Sequence, residues 1–168
     1  MAIGDRIKRM RNFRKMTMKE LGMAVGFDES SADVRIAQYE NNSRAPKEEL
    51  LRKIAKALNV NYRNLYEPAP RSLEDIMYTL FELEEHHPSM RLLDVVDNTD
   101  EDFPENRISI CFRNRTFESF LKEWQLRRRQ LDSGEITKEE YIEWKANWPQ
   151  TADDCGKFEP SIPWRKNK

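Results

Sequence analysis

Cysteine is almost absent from this chain. Cys111 and Cys155 are its only two, and one such pair builds no disulfide framework, so a soluble protein of a reducing compartment, the cytoplasm, is expected. Glycine is scarce too, at 5 of 168 residues, and no glycine-rich phosphate loop occurs. No apolar run approaches about 18 residues and no charged-then-apolar segment opens the chain, which argues against membrane spanning and secretion. The sequence contains no H-E-x-x-H, no nucleophile elbow and no Cys–His signature, so no enzyme is expected. Net charge is also missing. Lys plus Arg number 29 against 30 Asp plus Glu, a balance unlike that of a protein that coats nucleic acid.

What is present is a very polar chain, 38% hydrophobic and 35% charged, with 17 aromatic side chains that argue against disorder. The neutral total is a cancellation. Residues 1–66 carry net +6, residues 67–106 carry net −10, and residues 107–168 carry net +3.

The basic segment reads as five short helices. Ile3, Ile7, Met10 and Phe13 recur at helical spacing from Ile3 to Met16, among cations that include Arg9, Arg11 and Arg14, which read as a solvated face. Thr17 and Glu20 form a capping box that opens a second helix, with Leu21, Ala24 and Val25 inward and Gly26 at its end. Ala32–Glu40 makes a third, with Ile36, Ala37 and Tyr39 turned to a core. Pro46 leads into a fourth over 47–58, and Asn61 caps a last helix carrying Tyr62, Leu65 and Tyr66. A tight connection between the second and third helices is the arrangement that sets a recognition helix in the DNA major groove.

The stretches IGDRIKRMRNFRKMTMKELGMAVGF, IAQYENN and LLRKIAKALNV resemble the phage-repressor-like (XRE, or Cro/C1-type) helix-turn-helix family over roughly the first 66 residues. The resemblance implies a five-helix, lambda-repressor-like DNA-binding domain and a transcription regulator. Two departures stand out. Met18 occupies the position after the cap where the family commonly has Gln, and the stretch from Gly26 to the third helix is longer than the usual turn.

The solvent side of the third helix is expected to present Ala32, Asp33, Arg35 and Gln38 to bases. Arg35 suits bidentate donation to guanine, and Gln38 the donor–acceptor pair of adenine. Asp33 also reads as a first-turn acid facing the helix dipole. Lys19, Asn41, Asn42, Ser43, Arg44 and Lys47 are expected around the phosphates, Asn42 also holding a left-handed backbone conformation.

Pro68-Ala-Pro70 reads as a spacer over 68–71, after a DNA-binding domain of 1–67. Residues 72–149 are expected to form a small α+β module in the order α-β-β-α-α, so the whole chain is mainly α. Ser72 caps a helix carrying Leu73, Ile76, Met77, Leu80 and Phe81. Met90–Val96 and Arg107–Arg113 read as a hairpin, the second strand alternating Ile108, Ile110 and Phe112 against Ser109 and Cys111. Phe117, Phe120, Leu121, Trp124 and Leu131 stripe the next helix. A second capping box, Thr137 and Glu140, opens a helix with Tyr141, Trp144 and Trp148 aligned. Residues 133–149 also resemble the C-terminal region of a subset of regulators from Gram-positive bacteria and their mobile elements. In the 150–168 tail, Phe158, Pro163 and Trp164 read as docking residues.

No cofactor is expected. His86-His87 lacks a ligand pattern, and the acidic loop 97–106 lacks the Gly and bidentate Glu of a calcium site. The expected partners are double-stranded DNA and a second copy of the chain, which makes a dimeric repressor on a palindrome. The alternative is a mobile-element protein that binds and inhibits a host protein through residues 72–168, as an anti-defence factor or antitoxin, with the helix-turn-helix used for autoregulation.

Overall fold

A computed structural model describes residues 3–66, 72–97 and 105–165. The 68–71 spacer and most of the acidic loop lie outside the described residues. The fold is mainly helical, with one two-stranded antiparallel sheet, and it divides into two units.

The first unit begins with α1 (Ile3–Phe13), α2 (Met18–Ala24), α3 (Ala32–Glu40), α4 (Glu48–Ala57) and α5 (Tyr62–Tyr66). Their inward positions supply Ile7, Met10, Leu21, Val25, Ile36, Tyr39, Leu51, Ile54, Leu58 and Leu65, all buried in one cluster. Helix α1 stops at Phe13, short of the expected Met16. Lys15 takes a left-handed φ of 57°, and the Met16 N–H returns to the Arg11 carbonyl at 3.1 Å, which closes the last turn. The capping box of α2 forms as its residues dictate. The Glu20 N–H donates to Thr17 Oγ1 (3.1 Å) and the Thr17 N–H to the Glu20 carboxylate (2.7 Å). Ala24, expected inward, is exposed because Leu21 and Val25 already fill that face.

Charges expected on the surface also close this unit. Arg11 is buried and donates to both Glu40 carboxylate oxygens, at 2.6 and 2.9 Å, and to the Met16 carbonyl at 2.7 Å. The Glu40 hydrogen bond raises the Arg11 pKa above its ordinary value. Arg14 donates to the carbonyls of Leu58 and Asn59 and, at 2.5 and 2.8 Å, to the Glu143 carboxylate.

Glu143 lies on the last helix, α8 in chain order (Lys138–Ala146), which sequence placed in the second module. The structure groups it with the first unit for physical reasons. Ala146 enters the five-helix core, the Asn61 N–H donates to the Ala146 carbonyl at 2.9 Å, and Asn147 Nδ2 donates to the Asn59 carbonyl at 3.1 Å. Its capping box forms, with the Glu140 N–H on Thr137 Oγ1 at 3.1 Å. Tyr141 and Trp144 are buried and stacked, 6.1 Å between centroids. Of the three tail residues expected to dock, Trp164 is buried, and Phe158 and Pro163 are exposed.

The second unit runs from Ser72 to Glu135 and adds Asp153–Glu159. It holds α6 (Leu73–His86), β1 (Met90–Asp97), β2 (Glu105–Phe112) and α7 (Arg115–Asp132). Ser72 caps α6 reciprocally with Asp75. The strands pair antiparallel from Met90 opposite Phe112 to Asp97 opposite Glu105. Burial departs from the sequence pattern here. Ile108 and Ile110 are exposed, and no residue of α6 is buried. On α7 the buried residues are Glu123, Arg127 and Gln130, whereas Phe117, Leu121 and Trp124 are exposed. Arg127 donates to Gln130 at 2.8 Å and pairs with Asp153, and Glu123 accepts the N–H groups of Asp153 and Asp154 at 3.2 and 3.1 Å. The apolar stripe thus stays largely at the surface, and a polar network on the adjacent face of α7 is buried in its place.

Candidate nucleic-acid interface

The crossing of α2 and α3 sets the site. A Cβ at Gly22 would lie 2.7 Å from the Ala32 Cβ and 2.6 Å from the Ala32 carbonyl oxygen. Only glycine permits that approach, so the two helices touch backbone to backbone. Ala32 is therefore buried at the crossing, which removes it from the expected base-reading set. The connection through residues 25–31 loops out, and α3 starts at Ala32 with no side-chain cap from Ser31.

With Ala32, Ile36, Tyr39 and Glu40 inward, Asp33, Val34 and Arg35 are exposed and Gln38 is half-buried. Arg35 is held over the Phe27 ring, 4.4 Å from its centroid, rather than by Asp28 or Glu29. Glu29 instead takes Lys19, at 2.7 Å, and that hydrogen bond raises the Lys19 pKa above its ordinary value. Lys19 is thus exposed but already paired.

The segment after α3 is ordered by its own polar groups. Asn41 Oδ1 accepts the Ser43 N–H at 2.9 Å, Ser43 Oγ donates to the Gln38 carbonyl at 3.1 Å, and the Arg44 N–H donates to the same oxygen at 3.2 Å. Asn42 has a φ of 61°, and its Oδ1 accepts the Gly4 N–H at 3.0 Å, so this oxygen caps α1. Ser43, Arg44 and Lys47 remain exposed. Arg35, Arg44, Lys47 and Lys53 line an open groove of about 420 Å³ with Phe27 and Tyr39. Glu49, also on its wall, pairs with Lys53 at 2.9 Å. Cations therefore converge beside the outward face of α3, the placement that phosphate contacts require.

Sequence reasoning missed Val34 and Phe27. The signal for Val34 was available, because turning Ile36 and Tyr39 inward forces residue 34 outward at helical periodicity. Phe27 gave no periodic signal, since it sits in the looped connection. Met18 is half-buried and packs on the core, so the position where the resembled family commonly has Gln serves packing here. Among the described residues no group of three His, Cys, Asp or Glu is arranged to hold a metal, and no helix is long and apolar enough to cross a membrane.

Short helices packed on one core, a close α2–α3 crossing and an outward third helix flanked by cations define a helix-turn-helix fold. Comparison with known families agrees: residues 4–67 match the family described as a helix-turn-helix domain. No curated protein matches the chain.

Proposed function

We propose that this protein is a sequence-specific DNA-binding transcriptional regulator, a cytoplasmic dimeric repressor that reads a palindromic operator through α3. The observation that carries the reading is the outward face of α3, where Arg35 and Gln38 stand at its free side while the rest of the helix is anchored in the core. Arg44, Lys47 and Ser43 supply phosphate contacts that fix its register. No catalytic role is part of the proposal.

Two copies are needed because one short recognition helix reads few base pairs, and half-sites about one helical turn apart supply the remaining affinity. The second unit suits self-association. Among its described residues Met90 is the only buried apolar side chain, whereas Leu73 is 77% exposed, Ile108 65% and Leu92 63%. A two-stranded hairpin is marginal alone, and a second copy of the same face covers it isologously.

Selection of bound sequences from random DNA tests the reading. A palindromic consensus is expected, with Arg35→Ala and Gln38→Ala each weakening binding about fivefold to a hundredfold, the range of one bidentate base contact. Absence of any sequence preference at physiological salt overturns it. A second reading, binding of a host protein, is favoured by the acidic composition of residues 67–106 beside exposed apolar side chains. It predicts a stoichiometric partner captured by the full chain and released by charge reversal on α6.

A further inference from the structure

Val34 sits at the centre of the face that α3 turns outward. At about 100° per residue it lies opposite the arc of Ala32, Ile36, Tyr39 and Glu40, about 40° from Gln38 and about 100° from Arg35. It is 56% exposed, a branched apolar side chain between Ala37, about 60° to one side, and Gln38 on the other. A lone exposed valine is ordinary on a protein surface. What singles out Val34 is that it stands at the centre of this arc with Gln38 beside it and Arg35 beyond, and that Arg35 leans aside onto Phe27, leaving Val34 foremost.

Base edges in the major groove are donors and acceptors, with one apolar exception, the C5-methyl of thymine. A valine pressed against any other edge displaces water from a polar group and offers nothing in return. Against the methyl it gains apolar contact. Its χ1 is nearly fixed in a helix, so docking costs little side-chain entropy. Resting on the DNA-reading assignment above, we propose that Val34 reads a thymine methyl in each half-site, specifying T where Arg35 and Gln38 specify purines. It discriminates against cytosine and adenine, whose N4 and N6 amino groups would be left without an acceptor.

The test uses the full-length chain and the consensus obtained by selection. Each consensus thymine is replaced in turn by deoxyuridine, which removes only the methyl, and affinity is read by fluorescence anisotropy at one salt concentration. Wild type is expected to lose about fourfold for the methyl lost at one thymine per half-site. In Val34→Ala the thymine and deoxyuridine sites should bind alike. Alanine is the better helix former at this exposed position, so the variant folds. Repeating the selection with Val34→Gln should replace thymine at that position and leave the rest of the consensus intact. A clear consensus with no thymine whose methyl penalty depends on Val34 overturns this inference and leaves the regulator reading standing. No consensus at all overturns both.

Discussion

The two units solve the same problem in opposite ways. In the first, apolar residues at helical spacing meet in one core, and the charges that enter it, Arg11 and Glu40, arrive already paired. In the second, α6 and the hairpin carry the same kind of apolar periodicity and leave it on the surface, while α7 buries Glu123, Arg127 and Gln130 instead. Periodicity thus marks which residues share a face. It does not say whether this chain supplies the other half of the contact. A unit that buries its polar stripe and exposes its apolar one has the surface composition of half an interface.

The comparison is broken most severely by attacking the first unit where it is most self-sufficient. Glu40→Ala leaves Arg11 buried without its bidentate partner and should cost about 3–5 kcal/mol, measured by urea denaturation followed by circular dichroism. A loss below about 1 kcal/mol would mean that water reaches the guanidinium and that this core is less closed than described.

The second unit should answer a different variable, the concentration of the chain. Phe81→Asp or Ile108→Asp is expected to weaken dimerisation at least tenfold in sedimentation experiments, with the helical signal of the first unit unchanged. Unaltered sedimentation would overturn self-association through this face. Glu143→Ala sharpens the boundary between the units. It removes the carboxylate that Arg14 grips and should destabilise the first unit by about 1.5 kcal/mol, the lower figure for a charged hydrogen bond because the pair is partly exposed. The smallest effect belongs to Thr17→Ala, about 1 kcal/mol for a lost cap. The Thr17 N–H and, after it, the Thr17 hydroxyl that Thr17→Ala removes hold the Glu20 carboxyl below its ordinary pKa. The contribution of this cap is therefore present above the ordinary carboxylate range and lost as pH falls through the lowered folded value. In Thr17→Ala that acid-side loss should shrink.

Much of this was legible before any coordinates. The two T-x-x-E capping boxes form because the motif names both partners and their spacing. The five helices appear because Ile7, Met10, Leu51, Ile54 and Leu58 repeat at a helical period. The second strand forms because Arg107–Arg113 alternates. What could not be read was tertiary. Nothing in the sequence near Arg14 announces Glu143, 129 residues away. The burial of Ala32 follows from a contact with Gly22 that no periodicity encodes. Arg11 looks like any other cation in a basic helix until Glu40 is placed beside it. On α3 the failure was of another kind. The periodicity that turns Ile36 inward also sets Val34 outward, and its apolar side chain carries no polar signature of base reading.

The return of α8 to the first unit has a consequence for the order of events during synthesis. Arg14 leaves the ribosome 129 residues before the carboxylate that holds it. At bacterial to eukaryotic elongation rates that interval is about 6–26 s. Throughout it the five helices must stand without their final brace, and the hydrogen bonds of Asn59 and Asn61 to α8 wait with them. A nascent chain can therefore hold a shaped third helix well before its scaffold is locked, and the bracing of the helix-turn-helix becomes a late step, timed by translation.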